Sequence, residues 1–328
     1  MSDFSLYAAL IGGLVILAFA GDFLVNGAVS LSRKLGVSPL VAGILIVGFG
    51  TSAPEMVVTL GAALEGSPAL AVGNVVGSNI ANVWLVLAIP ALIAPIATGG
   101  FGQSRALLFV LLTTTAWIIV TAIMPLSPVI GIAFLAALIF YGIFTVTQTL
   151  SAAKKGVDVG IEDEEPTLAG FKLWACLAIG IIGLPIGAHL IVEGGVGIAR
   201  KFDITEELIG LTLLAIGTSL PELGAGIAAA LRKKSDVVIG NVLGSNVFNL
   251  LGAGGLVSLF GPVPVAPSFA NYDHWALAAA ALTLALFILP KAKISRFAAM
   301  SMILVYAVYL FGLINGWNLL AGAKSLVG

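Results

Sequence analysis

Long apolar runs alternate with short polar breaks along this chain, and the run lengths decide its class. Leu, Ile, Val, Ala and Gly fill stretches of about 20 residues or more, the length a helix needs to cross roughly 30 Å of hydrocarbon. Runs between charged or Pro/Gly/Asn-rich breaks predict ten spans, at 4–31, 37–64, 69–95, 105–123, 128–149, 169–198, 204–231, 236–259, 274–290 and 297–319. An all-α polytopic membrane protein follows.

Composition narrows the partners. Of 328 residues 59% are apolar and 9% charged, against roughly 25% charged in a soluble globular protein. The lipid bilayer is the solvent for most of the surface. With 15 basic and 16 acidic residues the net charge is −1, which leaves no basic surface for a nucleic acid. The single cysteine, Cys176, excludes an intrachain disulfide and a cysteine-built metal site, and reads as a small buried hydrophobe. No cofactor is expected.

Asp3 precedes the first apolar run and the first basic residue is Arg33, so the basic n-region of a cleavable signal peptide is missing and the first helix is expected to stay. Ten spans put both termini on one side. Loops after odd-numbered spans hold Arg33, Lys34, Arg105, Lys154, Lys155, Lys172, Arg232, Lys233, Lys234, Lys291, Lys293 and Arg296; the other side holds Arg200, Lys201 and Lys324. Basic residues mark the cytoplasmic side, so the termini are expected to be extracytoplasmic in the cell membrane. The longest polar connection, 150–168, carries Glu162, Asp163, Glu164 and Glu165; it lacks the ligand spacing and turn glycine of an EF-hand and reads as a solvated cytoplasmic linker.

An internal repeat carries most of the information. GTSAPE at Gly50–Glu55 recurs as GTSLPE at Gly217–Glu222, and GNVVGSNIAN at Gly73–Asn82 recurs as GNVLGSNVFN at Gly240–Asn249, both at an offset of 167 residues. Residues 1–149 and 169–328 therefore form two five-helix repeats. Five is odd, so the second repeat enters the membrane from the opposite face, the inverted arrangement of secondary transporters. The repeated positions are polar while their apolar neighbours drift, the reverse of what shared packing would preserve.

Glu55 and Glu222 each fall about 19 residues into an apolar span, where an acidic residue costs about 2.5 to 3.5 kcal/mol unless it finds a partner, a proton or an ion. No Lys or Arg shares their core segments. Pro54 and Pro221 lack an N–H and are expected to break each helix in two, turning carbonyls near Gly48 and Ala215 toward a cation. Thr51 and Ser52, like Thr218 and Ser219, stand on the helical face of the following Glu. Asn74, Ser78 and Asn82 form a stripe at i, i+4 and i+8, copied by Asn241, Ser245 and Asn249. Ser78, Asn82, Ser245 and Asn249 lie deeper along it as ligands; Asn74 and Asn241 suit interhelical hydrogen bonding equally well. Gly73, Gly77, Gly240 and Gly244 read as helix-packing residues. An oxygen-only set suits Na⁺ and Ca²⁺, where zinc or copper would call for His and Cys.

At these residues the sequence resembles the cation/Ca²⁺ exchanger superfamily, specifically its prokaryotic Na⁺/Ca²⁺ exchanger branch, and the resemblance covers nearly the whole chain. It implies that Glu55 and Glu222 are the central carboxylates shared by Ca²⁺ and Na⁺. Thr51, Ser52, Thr218, Ser219, Ser78 and Ser245, with the carbonyls of Gly48 and Ala215, would complete the ion positions, and Asn82 and Asn249 match two more. Asn249 stands where K⁺-dependent relatives carry Asp, which implies K⁺ independence. The family also implies a monomer whose first and sixth helices slide along glycine-rich faces (Gly12, Gly13, Gly21, Gly27; Gly180, Gly183, Gly187, Gly194) to alternate access.

The function expected is an antiporter exporting Ca²⁺ on Na⁺ entry, at roughly three Na⁺ per Ca²⁺ by family analogy. H⁺/Ca²⁺ or other divalent exchange is the alternative. A channel does not require an inverted repeat, and an intramembrane hydrolase is disfavoured by the absence of HExxH. Asp22 and His189 occupy repeat-related positions and read either as gating groups or as structural hydrogen bonders. Trp84, Trp117, Trp174, Trp275 and Trp317 read as interfacial anchors or helix packing.

Overall fold

The computed structural model describes residues 3–160, 168–202, 215–265 and 267–317. Eight helices long and apolar enough to span a bilayer, with two shorter ones, occupy the ten predicted places: α1 (Phe4–Leu35), α2 (Pro39–Leu64), α3 (Leu70–Ile93), α4 (Gln103–Ile123), α5 (Pro128–Lys154), α6 (Gly170–Lys201), α7 (Leu220–Leu231), α8 (Ser235–Leu259), α9 (Asp273–Ile288) and α10 (Arg296–Ile314). The first part of the predicted seventh span, 204–214, the acidic run at 162–165 and Lys324 lie outside the described residues. Helix α5 continues into the stretch read as linker because Ala152, Ala153 and Lys154 favour helix, and it ends where Gly156 adopts φ 73°.

Burial and hydropathy run in opposite directions. An 18-residue apolar stretch of α8 is 89% buried with a mean hydropathy of 1.4, whereas that of α5 is 17% buried at 2.5. A helix wrapped by other helices can hold Asn and Ser; one facing lipid cannot. Helices α3 and α8, which carry the second motif of each repeat, are thus the centre of the bundle.

Glycines let α1 and α6 cross at backbone contact. A Cβ on Gly13 would stand 2.7 Å from the Gly187 carbonyl oxygen, and one on Gly194 would stand 2.7 Å from that of Leu6. Gly27, Gly180 and Gly183 serve the same crossing. Gly21 instead abuts α7, 2.7 Å from the Gly224 carbonyl, and Gly12 has no described neighbour within 4 Å. Gly240 and Gly244 press on α2, whose Ile44 carbonyl would lie 2.6 Å from a Cβ on Gly244.

Helix irregularity falls beside the expected proline rather than on it. In α2 the α-helix Phe49–Leu64 runs through Pro54, and the departure is a wider-turned π-helical stretch just upstream, Gly43–Gly48. In the second repeat the chain does break: a turn at Thr218 and Ser219 separates the short Ala215–Gly217 helix from α7, with Pro221 in its first turn. Proline at the start of a helix removes no bond, whereas Pro54 leaves the Gly50 carbonyl without its usual N–H. Two further π segments, Asn82–Val86 in α3 and Phe248–Ala253 in α8, sit at repeat-related positions.

Inversion is visible at the bundle ends. Ile96 bridges antiparallel to Ile294, and Leu126 to Val263, so each repeat's third helix is followed by a residue tied to the other repeat. Trp84 and Trp117 are core residues, 5% and 0% exposed, while Trp174, Trp275 and Trp317 face outward.

Candidate ion-binding site

Four helices, α2, α3, α7 and α8, bring the repeated motifs together. Glu55 and Glu222 are 1% and 0% exposed, and their carboxyl groups are near enough to act on each other directly. Ser52 of the first repeat donates its hydroxyl to Glu222 Oε1 at 2.9 Å. Thr51 Oγ1 donates to the Val47 carbonyl at 3.0 Å and lies 3.4 Å from Asn241 Oδ1. Asn241 Nδ2 donates to the Glu222 carbonyl at 3.0 Å, and Ser245 Oγ lies 3.5 Å from the Gly48 carbonyl. On the other flank Asn74 donates to Thr59 Oγ1 at 2.8 Å and lies 3.4 Å from the Thr218 hydroxyl. Asn74 and Asn241 thus each make interhelical hydrogen bonds. The contacts Ser52–Glu222, Thr51–Asn241, Ser245–Gly48 and Thr218–Asn74 each join one repeat to the other.

Other motif atoms at the centre have no protein partner. Both carboxylate oxygens of Glu55, Oε2 of Glu222, the hydroxyls of Ser78 and Ser219 and both amide atoms of Asn82 and Asn249 are buried and unbonded. Buried polar atoms are normally satisfied, so a concentration of orphaned oxygens in repeated motifs marks a place where something else completes them. A cation fits, because anionic and neutral oxygens predominate and no described ion pair engages either glutamate. No group of three or more His, Cys, Asp or Glu suited to a metal occurs among the described residues, so hydroxyl, amide and carbonyl oxygens must supply the remaining ligands. Ala215 opens the short helix ahead of Thr218. Spacing passed over Asn79 and Asn246, which are buried, repeat-related, and each leave Oδ1 unbonded. The identical GSN triplet in both motifs was the signal for them.

A cavity of about 840 Å³ reaches Ser78, Asn74 and Thr218. Its walls are the C-terminal halves of α2 (Val58, Ala62), α6 (His189, Val192) and α10 (Leu310, Leu313) and the starts of α3 and α9 (Gly73, Asp273). Even-numbered helices end, and odd-numbered ones begin, on the side of the chain termini, so the cavity lies toward that side. Tyr309 in its wall donates to Asp273 Oδ1 at 2.9 Å. Gly73 and Gly77 line this space, while the segment matching their partner in the other repeat lies outside the described residues. Asp22 is ion-paired to Arg232 at 2.6 Å, and His189 stands 4.0 Å from Glu193.

Comparison with known proteins agrees with this geometry. The family model described as "Sodium/calcium exchanger protein" matches residues 5–150 and 172–315. The chain is 35% identical to the inner membrane protein YrbG of Escherichia coli, over 81% of this chain and 83% of that one. It is 29% identical to the sodium/calcium exchanger MaX1 of Methanosarcina acetivorans, over 93% and 97%. Among solved structures it superposes on the sodium-calcium exchanger NCX_Mj with a TM-score of 0.80 at 32% identity, covering 95% of this chain and 99% of that one. The chain is a Na⁺/Ca²⁺ antiporter with ten helices in two inverted five-helix repeats, and it belongs to the sodium/calcium exchanger family.

Proposed function

We propose that this antiporter exports Ca²⁺ from the cell on the energy of Na⁺ entry, by alternating access to one central site. The observation that carries this reading is the facing pair Glu55 and Glu222, buried and surrounded by unbonded oxygens. Two glutamates present −2, which one Ca²⁺ neutralises and which Na⁺ neutralises only by binding in greater number. Glu55, Glu222, Thr51, Ser52, Thr218, Ser219, Ser78, Ser245, Asn82 and Asn249, with the carbonyls of Gly48 and Ala215, are the ligand set from which both ions draw. An empty doubly negative site resists occlusion in a low-dielectric interior, so only a loaded carrier crosses, and exchange is enforced over leak.

The cavity reaches the site from the termini side, which the Lys/Arg distribution assigns to the exterior. The solved structures of NCX_Mj are described in terms of extracellular ion exchange, in keeping with that orientation. Repeats 1–149 and 169–328, joined by the linker 150–168, work as a monomer in the cell membrane. Radiolabelled Ca²⁺ flux in proteoliposomes with imposed Na⁺, H⁺ or K⁺ gradients tests the reading. Uptake should follow the Na⁺ gradient alone; uptake that ignores Na⁺ and follows H⁺ overturns it.

A further inference from the structure

We propose that Asp22–Arg232 and His189–Glu65 are two repeat-related latches that hold opposite ends of the ion pathway shut in alternate states. Asp22 and His189 are separated by the 167-residue repeat offset, and so are Glu65 and Arg232. The surroundings match as well. Glu65 and Arg232 end α2 and α7 with nearly the same backbone, φ −79° and ψ 5° against φ −87° and ψ 5°, and each is followed by a residue with positive φ, Gly66 and Lys233. On α1 Asn26 donates to Asp22 one turn away at 3.3 Å, and in the equivalent place on α6 Glu193 stands 4.0 Å from His189.

Charge signs are exchanged between the two sets. One pair places acid on α1 and base at the end of α7; the other places imidazole on α6 and acid at the end of α2. Changing one residue alone would have turned attraction into repulsion or nothing, so the double change keeps a pair that meets. An imidazole can donate an N–H to a carboxylate in either protonation state, and is charged only when protonated.

The present conformation has one latch made and the other open. Arg232 Nε lies 2.6 Å from Asp22 Oδ1, and α1 packs tightly along α7, down to the backbone contact of Gly21 with Gly224. The equivalent pair, α6 and α2, barely touches. Between them lies the cavity, with Pro54, Val58 and Ala62 on one wall and Pro185, His189 and Val192 on the other. His189 is 79% exposed in this space, and Glu65 forms no ion pair with it. Inverted repeats alternate access by moving one part of the bundle against the other, and we take the alternate state to be the one in which each half adopts the arrangement its counterpart has here. That exchange parts Asp22 from Arg232 and brings His189 to Glu65. The closure will be looser at the outer end, because Ala188 and Val57 stand where Gly21 and Gly224 touch at the inner one.

This inference rests on alternating access, and its test reads closure without reference to which ion is carried. On a Cys176→Ser background, full-length protein carrying Glu65→Cys with His189→Cys is oxidised in proteoliposomes over a series of Na⁺ and Ca²⁺ concentrations. A disulfide should form in at least one ion condition and stop flux, and reductant should restore it. Asp22→Cys with Arg232→Cys should cross-link in the complementary conditions. If the second pair cross-links while the first never does in a protein that still exchanges ions, the outer latch is overturned. Charge exchange gives an independent reading: Glu65→Arg alone should slow exchange by about two- to fivefold, the range of a solvent-exposed ion pair, and adding His189→Asp should restore it. A double variant as slow as the single one also overturns the proposal. Should parent flux prove indifferent to Na⁺, the transport reading fails while cross-linking still decides the latch.

Discussion

Replacing Glu55 by Gln removes one charge of two from the site while leaving its shape. Neither oxygen of Glu55 accepts a hydrogen bond from a protein donor, so the amide, which can still face the Glu222 carboxyl, removes no donated bond. Glu222 differs, because its Oε1 accepts from Ser52. The whole effect of Glu55→Gln should therefore fall on ions. Bound Ca²⁺ in the variant leaves a net +1 in a site that is 1% exposed at Glu55 and 0% at Glu222. Removing one partner of a buried charge pair costs about 3–5 kcal/mol, which corresponds to a loss of Ca²⁺ affinity of roughly 100- to 4,000-fold. Folding should move the other way: a buried carboxylate repelled by its neighbour becomes a neutral amide, so the ion-free melting temperature should hold or rise. Calorimetric Ca²⁺ titration of detergent-solubilised protein, thermal melts in chelator and proteoliposome flux together make the check. A variant that binds Ca²⁺ within about threefold of the parent, or that melts well below it in chelator, refutes the reasoning, since either result places the role of Glu55 in folding or outside the site.

Three further outcomes follow from particular contacts. Ser52→Ala deletes the 2.9 Å bond to Glu222 and should weaken ion binding by about 10- to 100-fold, the worth of a hydrogen bond to a charged group, as read by the same titration. Gly244→Ala sets a Cβ 2.6 Å from the Ile44 carbonyl and 2.8 Å from its Cα, backbone atoms that cannot step aside. It should destabilise by about 1–3 kcal/mol in thermal melts, whereas Gly61→Ala, with nothing described within 4 Å, should be neutral or stabilising. Tyr309→Phe leaves Asp273, 8% exposed, without its 2.9 Å donor and should lower stability by about 1–3 kcal/mol.

Much of this molecule is legible in the chain because two different constraints act on the same residues. Hydrocarbon thickness sets span length, so nine helices fall within about five residues of their predicted places and the described part of the seventh ends at the predicted Leu231, while the 167-residue offset of GTSxPE and GNVxGSN fixes which helices correspond. Helix irregularity is less legible. A π turn differs from an α turn by one residue of hydrogen-bond register and has no composition of its own, so Gly43–Gly48 goes unseen while Pro54, which the helix absorbs, draws attention. Asn79 and Asn246 escape an argument from i, i+4 and i+8 spacing because they lie one residue off that stripe. The partner of Asp22 is 210 residues away, beyond any rule of local spacing. Residue type leaves Trp117 open as interface anchor or packing residue, and it fills the core beside Gly254, a choice made by shape in three dimensions.

Ser52 to Glu222, Thr51 to Asn241, Ser245 to Gly48 and Thr218 to Asn74 each span the seam between the two halves of the chain. On the proposed ligand set a single half would own a carboxylate but no complete coordination shell, and the transported ion would also fasten the two halves together. Ligand that binds only the joined form adds about 2.7 kcal/mol of cohesion at one hundred times its dissociation constant. Two separately expressed halves, cut in the linker, should therefore find each other more readily in Ca²⁺ than in chelator. On that ligand set, a motion that pulls the halves apart would have to loosen the cargo first, tying release to movement through one and the same set of bonds.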